Sequence, residues 1–221
     1  MKKLVFLCMA VLSFVSTVAF AQEGKMAIMV KPIPYPLSVC NSPENYSTKT
    51  EGKISIAAKG KTNLFNNPNG EYYVQDAPMI LFEPKGDFTL IAKVSGELKN
   101  IYDVAALVVY QDKDLWAKFC YENSVDKKPT IVSVVTRGYS DDCNSVEAGS
   151  FAWMSIVRNG NIFKLYYSPD GQKWSIIRHF HLEITGTLKA GFASHGSRGN
   201  GFTAEFSEIK YFDRALDNMQ E

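Results

Sequence analysis

Two runs decide the fold class: Leu115-Trp116-Ala117-Lys118-Phe119-Cys120-Tyr121-Glu122 and Thr130-Ile131-Val132-Ser133-Val134-Val135-Thr136-Arg137, joined through Asp126-Lys127-Lys128-Pro129. Successive side chains of a strand point to opposite faces. The first run therefore puts Leu115, Ala117, Phe119 and Tyr121 on one face and Trp116, Lys118, Cys120 and Glu122 on the other. In the second run Thr130, Val132, Val134 and Thr136 alternate with Ile131, Ser133, Val135 and Arg137. Pairing about the centre of the loop makes the two apolar sets coincide, because directly opposed residues point the same way. Trp116, Lys118, Glu122, Ser133 and Arg137 then share the second face, a grouping that a slip of one residue would scramble.

Working outward, short runs rich in Val, Ile, Tyr, Phe and Thr recur between turn signals, and capped 3.6-residue periodicity is almost nowhere present. Strands are expected at Ile54-Lys59, Pro78-Phe82, Phe88-Ser95, Asp103-Tyr110, Phe151-Arg158, Ile162-Ser168, Trp174-His181, Lys189-Ser194 and Thr203-Tyr211, besides the two above. So many strands in one chain predict an all-β protein, a two-sheet antiparallel sandwich or jelly roll. Asn159-Gly160 and Asp170-Gly171 supply the positive φ that tight hairpins require.

The N-terminus reads as a signal peptide over 1-21: Lys2 and Lys3, an apolar run to Phe20, then Ala19-Phe20-Ala21 before Gln22. Export to a periplasm or the cell exterior is expected. An extended, proline-broken lead-in covers 22-42, the sandwich 43-212 and a tail 213-221. No second apolar stretch is long enough for a membrane span. The 24 basic side chains, two of them within the expected signal, face 23 acidic ones, so the mature chain carries no basic field for nucleic acid. Cys40, Cys120 and Cys143 remain after the signal, without zinc-ligand spacing. An odd count allows at most one internal disulfide, and Cys120 with Cys143 is the candidate pair.

Five segments carry a family resemblance. Gly86-Asp87-Phe88-Thr89-Leu90, Leu115-Glu122, Ser133 through Asp142, Tyr166-Tyr167-Ser168-Pro169-Asp170-Gly171-Gln172-Lys173-Trp174 and Gly199-Asn200-Gly201-Phe202-Thr203-Ala204-Glu205-Phe206 occur in that order. Together with Thr62-Asn63-Leu64-Phe65-Asn66-Asn67-Pro68, they resemble a domain-of-unknown-function family named after the yeast regulation-of-enolase protein, within the concanavalin A-like lectin/glucanase superfamily. The resemblance spans about residues 43-212. It implies a concanavalin A-like jelly roll that keeps company with carbohydrate-active proteins, without a settled activity of its own.

The polar face is chemically suited to sugar. Trp116 offers a stacking platform, Lys118 and Arg137 are donors, and Glu122, Asp141 and Asp142 are acceptors, with Ser133 beside them. The competing reading is a solvated outer face with cross-strand Lys-Glu pairs. Catalysis would use Glu122 with Asp141 or Asp142, at the separations glycoside hydrolysis demands, but the E-x-D-x-E motif of catalytic relatives is missing. Asp141, Asp142 and Asn144, expected in a loop, could offer calcium three oxygen ligands where it needs six to eight. His179 and His181 alternate on one strand, and His181 is a further candidate sugar contact. The Asp170 turn resembles a sialidase Asp-box one residue short and reads as a hairpin, and Gly196-Gly201 reads as a connecting loop without the context of a phosphate loop. The expected function is therefore an exported, lectin-like sandwich that binds an oligo- or polysaccharide, without a cofactor. A glycoside hydrolase and a structural or protein-binding sandwich are the alternatives.

Overall fold

The computed structural model describes residues 28–49, 51–216 and 219. The expected signal at 1-21 and the last residues of the tail lie outside them. The strands are β1 (Ser38–Cys40), β2 (Asn45–Lys49), β3 (Lys53–Lys59), β4 (Leu64–Asn66), β5 (Tyr73–Gln75), β6 (Met79–Phe82), β7 (Phe88–Ser95) and β8 (Asp103–Asp112). They continue with β9 (Leu115–Asn123), β10 (Pro129–Arg137), β11 (Tyr139–Glu147), β12 (Phe151–Asn159), β13 (Ile162–Ser168), β14 (Ser175–His181), β15 (Lys189–Gly196) and β16 (Gly201–Phe212).

Two antiparallel seven-stranded sheets form the sandwich, in the orders β1-β6-β15-β8-β9-β10-β11 and β14-β13-β12-β7-β16-β3-β2. Leu107, Phe119, Tyr121 and Val135 of the first sheet meet Ile56, Leu90, Ile156 and Phe206 of the second in one core. The part of the lead-in within the described residues joins it: Val30, Ile33 and Leu37 are buried there, and β1 extends the first sheet along β6. The expected hairpins form, with Gly160 at φ 58° and Gly171 at φ 76°. Asp170 accepts from the Gln172 and Lys173 amides, which hold its carboxyl below the usual range, while Trp174 packs with Ile91 and Val157.

The β9–β10 register differs from the expected one by one residue. Lys118 opposes Val134 and Trp116 opposes Thr136, so Ser133 and Arg137 stand on the inner face, opposite Phe119 and Leu115. The turn sets this: the Ser124 amide donates to the Lys128 carbonyl, and Asn123 faces Pro129. Alternation could not reveal it, because neither face of this hairpin is left to solvent. A small two-stranded excursion, β4–β5, lies over the outer face and builds a second apolar layer of Leu64, Val108, Trp116, Cys120, Val132 and Val134.

The segment expected as a loop at Ser140–Asn144 is instead part of the edge strand β11. Cys120 opposes Val132 on one side of β10, and Cys143 opposes Ser133 on the other. Since Val132 and Ser133 are neighbours, the two thiols project from opposite faces of the sheet, and the expected disulfide does not form. Cys40, Cys120 and Cys143 are all free.

Candidate functional site

The outer face of the first sheet carries a pocket of about 200 Å3 beneath the β4–β5 excursion. Its floor follows from register. One row across the sheet runs Gly191, Val108, Lys118, Val134, Asp142, and another runs His195, Val104, Glu122, Thr130. Between them stand Ala193, Ala106, Cys120 and Val132. Small side chains there leave room for Lys118 to cross the floor toward His195. The roof is Phe65 and Tyr72, ring centroids 6.4 Å apart, and the mouth is lined by Asn63, Tyr102, Ser197 and Arg198. Buried Asn66 fastens the roof, its amide donating to the carbonyls of Lys113 and Gly138 and its backbone N–H to Ser140 Oγ.

Polar groups converge on this pocket. Lys118 Nζ lies 3.1 Å from His195 Nε2, and His195 Nδ1 lies 3.2 Å from Ser197 Oγ, which donates to the Thr62 carbonyl. Lys118 and His195 are both buried. Burial, reinforced by the Lys118 charge, holds the imidazole well below its ordinary range, so it is neutral. Burial pushes the Glu122 carboxyl up to about 7, with Lys118 opposing the rise and Asp142 adding to it. Arg198 sits over the Tyr102 ring, 6.0 Å from its centroid.

Of the residues singled out in the sequence, Lys118, Glu122 and Asp142 meet in this pocket. The others do not. Trp116 is fully buried under the excursion, its Nε1 donating to the Lys113 carbonyl, and offers no face to a ligand. Ser133 is buried on the inner face and accepts from Arg178. Asp141 alternates with Asp142, faces the opposite way, and pairs with Arg178 Nη2 at 2.7 Å. Adjacent strand positions therefore keep Asp141 and Asp142 from sharing a cation as the calcium reading required. Arg137 donates to the His181 carbonyl, and His181 lies on β14 of the second sheet, beside Glu183 at 3.4 Å. A wider cleft of about 760 Å3, lined by Glu44, Glu97, Asp103 and Glu205, holds none of the expected residues.

The family described as Protein of unknown function (DUF1349) matches residues 39–213. The chain belongs to that family. Among solved structures, a functionally unknown protein from Saccharomyces cerevisiae is similar at 21% identity, with a TM-score of 0.75 over 82% of this chain and 97% of that one. The GH43 BlXynB protein from Bacillus licheniformis is 15% identical, TM-score 0.59, over 73% of this chain and 33% of that one. The Ca2+/Man3GlcNAc-bound exoplasmic/lumenal domain of VIP36 is 10% identical, TM-score 0.52, over 86% of this chain and 89% of that one. At these identities the likeness is one of fold. No curated protein matches the chain.

Sequence reasoning missed most of this pocket. His195, Ser197 and Arg198 stand at the end of β15 and in the glycine-rich stretch read as a plain connection, and Phe65 and Tyr72 belong to an excursion of two three-residue strands. One signal was available. His195 is a lone imidazole that follows the small residues Ala193-Ser194 and directly precedes the glycine-rich stretch.

Proposed function

We propose that this chain is an exported carbohydrate-binding sandwich whose ligand is a single sugar unit held in the outer-face pocket. The observation that carries this reading is the convergence of Lys118, Glu122 and His195, all buried, beneath the rings of Phe65 and Tyr72. A sugar asks for such a mixture: ring faces for its C–H edges, and fixed donors and acceptors for its hydroxyls. A pocket of about 200 Å3 is smaller than the roughly 300–1,000 Å3 of drug-sized sites and suits one ring, as at the end of a glycan. The lectin and GH43 folds among the similar structures agree with a saccharide ligand. We also infer kinship with the yeast regulation-of-enolase family, which the similar Saccharomyces cerevisiae protein supports.

Binding of the 22-221 protein to an array of glycans and plant polysaccharides, beside Tyr72→Ala and Arg198→Ala, tests the reading. Glycan binding that both variants weaken at unchanged Tm is the expected result. Binding to no glycan would sink it and favour the protein-binding sandwich. Export is checked by the N-terminus of the protein recovered from its producing cells, expected at Gln22.

The hydrolase alternative has one observation on its side, a Glu122 carboxyl at about 7, the range of a general acid. Its candidate partner, Asp142, lines the same pocket from two strands over and adds to the rise of the Glu122 carboxyl, but it stands exposed on the edge strand while Glu122 is buried. Glycoside hydrolysis needs the two carboxyl groups about 5–9.5 Å apart. Cleavage products on the same array would revive this alternative.

A further inference from the structure

We propose that the sugar this pocket recognises bears a carboxylate, a terminal hexuronic acid, and that Lys118 is the residue that selects the acid; this rests on the carbohydrate reading above. Lys118 is 3% exposed, and its hydrogen-bond partner is an imidazole nitrogen. The tautomer follows from the chain of contacts. Ser197 gives its proton to the Thr62 carbonyl, so its Oγ accepts from His195 Nδ1–H, and Nε2 is left with a lone pair facing the ammonium. A neutral partner orients Lys118 without compensating its charge.

The surrounding carboxylates compensate it only in part. Among the described residues, no ion pair reaches Lys118. Glu122, four residues along the same strand, feels the Lys118 charge, yet burial still holds its carboxyl high, and Asp142 stands exposed on the edge strand two strands across. The Phe65 ring lies 5.9 Å from Nζ, a modest supplement. A buried ammonium without an ion pair is costly, and two of its three N–H groups remain for a ligand. A ligand carboxylate in the pocket would accept them in short, charge-assisted hydrogen bonds, with Arg198 adding a second cation at the mouth. The acidic groups facing the site also fit: Asp142 is exposed at the rim, and an anion on Lys118 drives buried Glu122 toward its neutral form, in which it donates to a sugar oxygen.

Calorimetric titration with the methyl glycosides of galacturonic and glucuronic acid, and with those of galactose and glucose, tests this on the wild type, Lys118→Met and Lys118→Arg. The expected result is a preference for one acid over its neutral counterpart of about tenfold or more, weakened by salt. Lys118→Met should abolish the preference, bringing binding of the acid down to that of its neutral counterpart, and Lys118→Arg should retain part of it. A neutral sugar bound as tightly as its acid, or a preference that survives Lys118→Met, would overturn the proposal and leave the carbohydrate reading standing. Binding of neither class would overturn both. Should Lys118→Met fail to fold, the wild-type preference and its salt dependence decide.

Discussion

Glu122 and His195 stand in one row on the outer face of the first sheet with Val104 between them, and burial displaces their titrations in opposite senses. For Glu122 the folded value, about 7, lies above the ordinary 4.5. The unfolded chain therefore releases its proton first, and stability falls as pH rises from about 4.5 through 7. For His195 the folded value lies below the ordinary 6.5. The unfolded chain takes up its proton first, and stability falls as pH drops below about 6.5. Glu122→Gln should thus stabilise the protein at pH 8, by up to about 3 kcal/mol given the distance from 4.5 to 7, and change little at pH 4. His195→Gln should remove the acid-side loss. Thermal melts of the three proteins from pH 4 to 8 check this, and an unchanged pH profile in Glu122→Gln would refute the buried-carboxyl account.

Trp116 is a structural residue in this arrangement. It fills the layer between the first sheet and the β4–β5 excursion with Leu64, Val108 and Val134. Trp116→Ala should cost about 3–5 kcal/mol in denaturant unfolding, by loss of apolar burial and the cavity left behind. Trp116→Phe should keep the roof in place and preserve ligand binding. Loss of binding in the Phe variant at full stability would restore Trp116 to the recognition surface.

The sandwich was legible because its interior strands obey simple rules: β7 and β13 fall at their expected bounds, and the Asp170-Gly171 turn carries its own chemistry. The five unforeseen strands, β1, β2, β4, β5 and β11, lie at sheet edges or in the excursion and are short or polar. The site was legible only in part, for a related reason. Lys118 and Glu122 stood out as charges within an apolar run, and that signal survives burial. The partners Ser133 and Arg137 were assigned by register, which alternation specifies only when one face is wet. Here Val132 and Val134 are buried outward and Ile131 and Val135 inward. His195 and Tyr72 could not be joined to Lys118 from local pattern, because strand order brings them together across long sequence separations.

The thiols give a direct check of sheet geometry. Cys143 is exposed on the edge strand, Cys40 is half-buried, and Cys120 is buried with its thiol pushed up to about 12 by burial. A maleimide at pH 7.5 should label Cys143 quickly, Cys40 slowly and Cys120 only after unfolding, since the thiolate is the reactive form. Peptide mass spectrometry reads all three. A Cys120–Cys143 crosslink in the non-reduced protein would contradict the opposed-face arrangement.

Arg178 ties the two sheets together where their edge strands approach. From β14 it donates to Asp141 Oδ2 at 2.7 Å, to the Asp141 carbonyl at 3.2 Å and to Ser133 Oγ at 3.3 Å. Asp141 is largely exposed, so the ion pair alone is weak. The contact to buried Ser133 matters more, because removing the guanidinium leaves that hydroxyl in a partly closed seam without this donor. Arg178→Ala should therefore destabilise by about 1–2 kcal/mol and Asp141→Ala by about 0.5 kcal/mol. A double-mutant cycle should give a coupling of about 0.5 kcal/mol, since both substitutions delete the same pair. Neither should change ligand affinity, because Asp141 and Asp142 point to opposite sides of β11 and only Asp142 lines the pocket. Weakened binding in Asp141→Ala at unchanged stability would place the ligand on the other side of the edge strand.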